Sequence, residues 1–187
     1  MQFTRPRVSR EVVGWTAIVA MLVFMQWPML KGTWYKRTGA VPPPSAIAWS
    51  TALDAALAES ARSGRPVLVD FAADWCPPCI TMKHDVWPDP EVAAAVSNGY
   101  VPLLIDVDKR PDLAARYEVV GIPNVMVLDA QGRIVAQASF LNADAMARFL
   151  AGDLSSARPG AERHMSRGRL PESYGVSIAA MTFLSVS

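Results

Sequence analysis

The stretch Val67-Leu-Val-Asp-Phe-Ala-Ala-Asp-Trp-Cys-Pro-Pro-Cys79 decides how this chain folds. Its first half, from Pro66 to Ala72, is an apolar run rich in β-branched residues and reads as a strand. Its second half places two cysteines three residues apart, and the segment from Cys76 to about Trp87 reads as a helix. At a helix start this spacing stacks the two sulfurs on one face. Cys76 then sits at the amino edge, where free N–H groups and the helix dipole favour an anion. Its thiol pKa is expected to fall below the free value of about 8.5, and Cys79, one turn in, is expected to be more buried and to stay protonated. That division gives an attacking and a resolving sulfur.

The elements on either side follow the same logic. Trp49, Leu53 and Leu57 fall at helical spacing, and Gly64-Arg65-Pro66 ends that helix. Pro88-Asp89-Pro90 breaks the cysteine-bearing helix, and Glu91 to Ser97 restarts it. Tyr100 to Val107 reads as a strand, Arg110 to Glu118 as a helix, and Asn124 to Leu128 as a strand. Asp129-Ala-Gln-Gly132 turns into a strand over Arg133 to Ser139, and Asn142 caps a closing helix to Leu150. The first two strands, joined through helices, are expected to be parallel, and the last two to form an antiparallel hairpin. The expected class is α/β, a mixed central sheet with helices on both faces.

Only two of the 187 residues are cysteine, which excludes a disulfide-rich scaffold, a four-cysteine zinc site and an iron–sulfur cluster held by this chain alone. A c-type haem site needs His after the second Cys, and residue 80 is Ile. Zinc would need two further ligands, and the histidines are His84, read as a surface residue, and His164 in the tail. No metal and no cofactor is expected, although copper(I) delivery by the thiolates stays open as a second reading. The net charge of +1 gives no argument for nucleic acid.

That near-zero charge hides three segments: +5 over residues 1–48, −6 over 49–154 and +2 over 155–187. Val12 to Leu30 is 19 residues without a charge, 15 of them hydrophobic, flanked by Trp15 and by Trp27, Trp34 and Tyr35. As one helix it would be about 28 Å long, so it is expected to be a single transmembrane anchor. Lys31 to Arg37 makes a poor cleavage site for a signal peptide, so the anchor is expected to be retained. Met21, Met25 and Met29 form a stripe read as lipid-facing or partner-facing packing. The organisation is then a cytoplasmic terminus at 1–11, the anchor at 12–30, a linker at 31–48 stiffened by Pro42-Pro43-Pro44, a folded domain at 49–154 and a disordered tail at 155–187.

The strand, the Trp75-Cys76-Pro77-Pro78-Cys79 segment and the distant Gly121-Ile122-Pro123 resemble the thioredoxin superfamily. The chain is similar in particular to membrane-tethered thioredoxin-like proteins and to the C-terminal domain of bacterial transmembrane thiol:disulfide interchange proteins. The resemblance covers about residues 49–151. It implies a thioredoxin fold, Cys76 as nucleophile, Cys79 as resolving cysteine and the two as a redox-active disulfide. It also implies Pro123 as a cis-proline facing them, Ile122 as the residue whose backbone pairs with substrate peptide, and Trp75 as an aromatic shield. Asp70, six residues before Cys76, matches the buried aspartate of thioredoxins; in a strand covered on both faces it should be desolvated and able to take the Cys79 proton. Two departures stand out: Pro77 replaces the usual glycine, and Leu104 stands where thioredoxins have a lysine near that aspartate.

The function expected is a membrane-anchored thiol–disulfide oxidoreductase, a monomer. It reduces protein disulfides on the extracytoplasmic, periplasmic side of the inner membrane and is recharged by a membrane thiol donor. A disulfide-donating oxidase is the alternative within the same chemistry.

Overall fold

The computed structural model describes residues 10–152. The elements run α1 (Arg10–Met25), α2 (Trp27–Thr38), α3 (Leu53–Ser63), β1 (Val67–Ala72), α4 (Pro77–Asp85), α5 (Pro90–Gly99), β2 (Val101–Asp106), α6 (Pro111–Arg116), β3 (Asn124–Leu128), β4 (Ile134–Ala138) and α7 (Ala143–Leu150). The four strands form one sheet in the order β2-β1-β3-β4. β1 lies parallel to β2 and antiparallel to β3, and β3 pairs antiparallel with β4. The mixed sheet expected from the crossover and hairpin lengths is therefore the one that forms.

Side-chain alternation in the central strands builds a core on each face. Val67, Val69 and Phe71 of β1 join Leu103, Ile105, Met126 and Leu128 beneath α3 and α6. Leu68, Val125 and Val127 point the other way, to Met82 of α4, Val92 and Val96 of α5 and Phe149 of α7. Each large aliphatic side chain fully buried here contributes about 1.5–3 kcal/mol relative to exposure. Asp70 shares the second face with Leu68, so alternation alone carries a carboxyl into the α4 layer.

Side-chain oxygens cap two of the helices. Asp89 Oδ1 accepts the N–H groups of Glu91 and Val92 at the start of α5, and Asn142 Oδ1 accepts that of Ala145 at the start of α7. The closing cap is the one the sequence indicates. At the β3–β4 hairpin Asp129 Oδ1 holds the N–H groups of Gln131 and Arg133, and Gly132 takes the positive φ of 75° that closes the turn.

The amino-terminal segment differs from expectation. The helix expected over 12–30 is interrupted at Gln26, because Pro28 has no N–H to give to Phe24 and its ring crowds that carbonyl. Among the described residues, no helix is long and apolar enough to cross a membrane. The side chains of α1 from Trp15 to Met25 are exposed around the whole helix, with Met21 and Met25 among the most open.

Residues 31–38, read as linker, complete α2, which packs directly on α4. Lys31 Nζ meets Asp85 Oδ2 at 2.6 Å, Tyr35 Oη donates to Asp85 Oδ1 at 2.8 Å, and Thr81 Oγ1 donates to Pro28 O at 2.7 Å. The Pro42-Pro43-Pro44 segment follows this contact in the chain. Residues 153–187, read as a tail, lie outside the described residues.

Candidate active site

After β1 the chain turns through Ala73, Asp74 and Trp75, and the Cys76 N–H closes the turn on Ala73 O at 3.2 Å. Cys76 is the N-cap of α4, with extended φ −84° and ψ 106°, and its Sγ accepts the Cys79 N–H at 3.3 Å. Pro77 and Pro78 fill the first two helical positions, which need no donor for helix formation. Neither can offer an N–H to the sulfur. Cys79 is thus the first residue of the helix to supply one.

The two sulfurs are joined, 2.10 Å apart with their Cα atoms at 5.3 Å. The relative burial expected is reversed: Cys76 is 2% exposed and Cys79 is 6% exposed. Being first in the helix does not expose Cys76, because Ala72, Val107 and Ile122 close over the pair together with Ala73.

Ile122 comes to the pair from the loop before β3, with Pro123 next to it in the chain. The Ile122–Pro123 peptide bond is cis, Pro123 is buried, and Ile122 stays partly open beside the cysteines. Trp75 is 56% exposed and donates its indole N–H to Asp108 Oδ2 at 2.8 Å, which fixes the ring at the rim.

Asp70 lies on the α4 side of β1, paired in register with Leu104 on one neighbour and Val125 on the other. It is buried, and desolvation raises its pKa from 3.8 to about 7, opposed only by a hydrogen bond from Trp87. Trp87 Nε1 donates to Oδ2 at 2.9 Å, while Oδ1 has no hydrogen-bond partner among the described residues. Trp87 was not singled out from sequence for this role, although it stands just before the Pro88-Asp89-Pro90 break that lets the chain turn back toward the sheet.

His84, read as a surface residue, is buried instead. Its ring stacks on Tyr35 of α2 with centroids 4.0 Å apart and planes 7° from parallel. Among the described residues, no group of three or more His, Cys, Asp or Glu side chains is arranged to hold a metal ion.

Residues 48–130 match the thioredoxin-like family. Thioredoxin 1 of Chlorobaculum tepidum is 39% identical over 62 residues, which are 33% of this chain and 58% of that protein. Thiol:disulfide interchange protein DsbD 1 of Pseudomonas aeruginosa is 35% identical over 96 residues, 46% of this chain and 16% of that protein. The chain therefore covers less than two thirds of either relative. Among solved structures, a thioredoxin from Thermus thermophilus superposes with a TM-score of 0.52 at 26% identity, covering 57% of this chain and 86% of that one.

Proposed function

We propose that this chain, whose residues 48–130 match the thioredoxin-like family, is a membrane-attached thiol–disulfide oxidoreductase that reduces protein disulfides on the extracytoplasmic side. One observation carries the reading: a closed Cys76–Cys79 pair at the mouth of α4, with the Cys76 sulfur accepting a helix N–H. A sulfur so placed is stabilised as thiolate once the pair is reduced.

Reduction of a substrate proceeds in two displacements. The Cys76 thiolate attacks one sulfur of the substrate disulfide, a Cys76–substrate disulfide forms, and the other substrate sulfur leaves as thiolate. Cys79 then loses its proton and attacks the Cys76 sulfur. The Cys76–Cys79 bond forms, the second substrate thiolate leaves, and two electrons have passed to the substrate. Asp70 is the base for the Cys79 proton. Burial places its pKa near neutrality, and its Oδ1 makes no competing hydrogen bond within the described protein. Extended substrate chain pairs with the backbone at Ile122 beside Pro123, and Trp75 flanks the entry.

The uncharged stretch Val12–Leu30 supports attachment to the inner membrane, and the exposed apolar side chains of α1 agree with it. The periplasmic side is favoured because substrate disulfides persist there. A membrane thiol donor then re-reduces the pair, and the interchange chemistry named for the Pseudomonas aeruginosa relative suggests that class of partner. The reaction needs only one copy of the chain.

The test is the reduction potential of the pair against glutathione, combined with thiol trapping of Cys76 and Cys79 in cells. A reductase holds the pair largely reduced in cells and has a potential below that of periplasmic oxidants. A pair found mostly oxidised, with a potential near the oxidant end of the class, makes the chain a disulfide donor instead. A reporter fused after Ser187 that works only in the cytosol overturns the topology.

A further inference from the structure

Gly32 is buried where α2 crosses the first turn of α4. A methyl group there would lie 2.8 Å from Pro77 Cα and closer still to the Pro77 carbonyl, so only glycine fits without moving backbone. Pro77 is the residue after Cys76. The Thr81 hydroxyl reinforces the contact, donating to Pro28 O at 2.7 Å with Pro77 O 3.2 Å away. One helix outside the matched domain thus rests, backbone on backbone, against the turn that carries the nucleophile.

That turn has little redundancy. An ordinary N-cap side chain reaches N–H groups at the second and third helical positions. Here the first two positions are proline, and among the described residues the Cys79 N–H at 3.3 Å is the one amide that meets the Cys76 sulfur. A single donor makes thiolate stability depend on the tilt of the turn. We propose that Gly32 is a positioning residue of the redox centre: through Pro77 it holds the first turn of α4 so that the Cys79 N–H points at Cys76 Sγ. The inference rests on the reading of Cys76 as the nucleophile.

The experiment uses the full-length chain in detergent micelles, reduced, with the pH profile of Cys76 alkylation by iodoacetamide and the equilibrium with glutathione as readouts. Gly32→Ala displaces Pro77 and weakens the thiolate. Alkylation on the acid side of the titration slows by about tenfold for each pH unit that the thiol pKa rises. A tenfold loss of the reduced form moves the potential about 30 mV more negative. Thr81→Val, which removes the hydroxyl bond and leaves Gly32 in place, shifts both readouts the same way and serves where Gly32→Ala does not fold. Tyr35→Phe, at the far end of the α2–α4 contact, leaves both unchanged.

Wild-type profiles in Gly32→Ala and Thr81→Val overturn the inference, as does a Tyr35→Phe shift of equal size, which would make general docking of α2 the cause. If Cys76 of the unaltered chain titrates as a free thiol at about 8.5, the nucleophile assignment itself falls, a different result from an unshifted variant.

Discussion

Trp87 donates its indole N–H to the Asp70 carboxyl at 2.9 Å, reaching back from beyond the end of α4 to the middle of β1. The bond joins the sheet, the redox helix and the acid that lies between them. Trp87 is itself 5% exposed and packs edge-on against Trp49, with ring centroids 5.1 Å apart. Leu104, the register partner of Asp70 on β2, brings no charge. The ionisation of Asp70 is therefore set by burial and by one hydrogen bond.

Trp87→Phe keeps a ring in place and removes that bond. Since the bond favours the charged carboxylate, its loss raises the Asp70 pKa above about 7. A hydrogen bond to a charged group contributes about 1.5–3 kcal/mol, equivalent to roughly one to two pH units. The rate at which Cys79 resolves a mixed disulfide should show its pH profile displaced to the alkaline side by that amount. Stopped-flow measurement from pH 5 to 10 reads this, and an undisplaced profile would remove Asp70 from the proton-transfer step.

Asp70→Asn separates function from stability. In the unfolded chain Asp70 ionises at 3.8, and in the folded chain at about 7. Below 3.8 both states hold the proton and there is no penalty. Between 3.8 and 7 only the folded state keeps it, so stability falls as pH rises, and above 7 the loss is constant at about 4 kcal/mol. A buried Asn amide with an unmet donor offsets about 1–3 kcal/mol of the gain from removing the charge. Urea unfolding should show Asp70→Asn more stable than wild type by about 1–3 kcal/mol at pH 8 and no more stable at pH 3. Resolution by Cys79 should slow by about a hundredfold. Equal stability differences at both pH values would refute the buried-acid assignment.

Much of the domain could be read in advance, and the reasons differ by element. The β-branched runs behind β1 and β3 read as strands, and the connections indicated a parallel β1–β2 pair and an antiparallel β3–β4 hairpin; the reversal of β3 against β1, reached through α6, has no such local sign. Asp70 betrayed its burial by standing in a strand whose neighbours on both sides are apolar. Its partner Trp87 did not, because a helix and a chain reversal separate them. α2 was illegible for another reason. Its contact with α4 is made by Pro28, Lys31, Gly32 and Tyr35, of which Pro28 and Gly32 offer backbone and Lys31 and Tyr35 polar groups, so hydrophobic periodicity carries no trace of it. The one available sign was polar: Lys31 and Tyr35, four apart on a helix, present matched partners for a single carboxylate, supplied by Asp85.

Cys79→Ala leaves Cys76 able to attack and removes the sulfur that would release the product. A covalent adduct with a disulfide-containing substrate such as insulin should accumulate and disappear on adding dithiothreitol, while turnover drops to background. Cys76→Ala should form no adduct. Non-reducing electrophoresis checks both, and adducts of equal yield through either cysteine would refute the assignment of attacking and resolving roles.

His84→Phe tests whether the stack on Tyr35 is a pH-dependent part of the fold. Burial lowers the His84 pKa below 6.5, because the charged ring is poorly solvated between α4 and α2. Lys83 and Lys31 push it the same way, and Asp85 opposes them. The unfolded chain therefore takes up the proton first, and the stabilisation is complete above 6.5 and lost as pH falls through the depressed folded value. Asp70 acts in the opposite sense over part of this window, so wild-type stability alone hides the effect. The difference between His84→Phe and wild type isolates it. Phenylalanine keeps the ring contact and cannot ionise, so the variant should gain on wild type as pH falls below 6.5. Amide exchange in residues 27–38 should quicken with acid in wild type and stay level in the variant. A difference in stability that does not change with pH would place the His84 charge outside the α2–α4 contact.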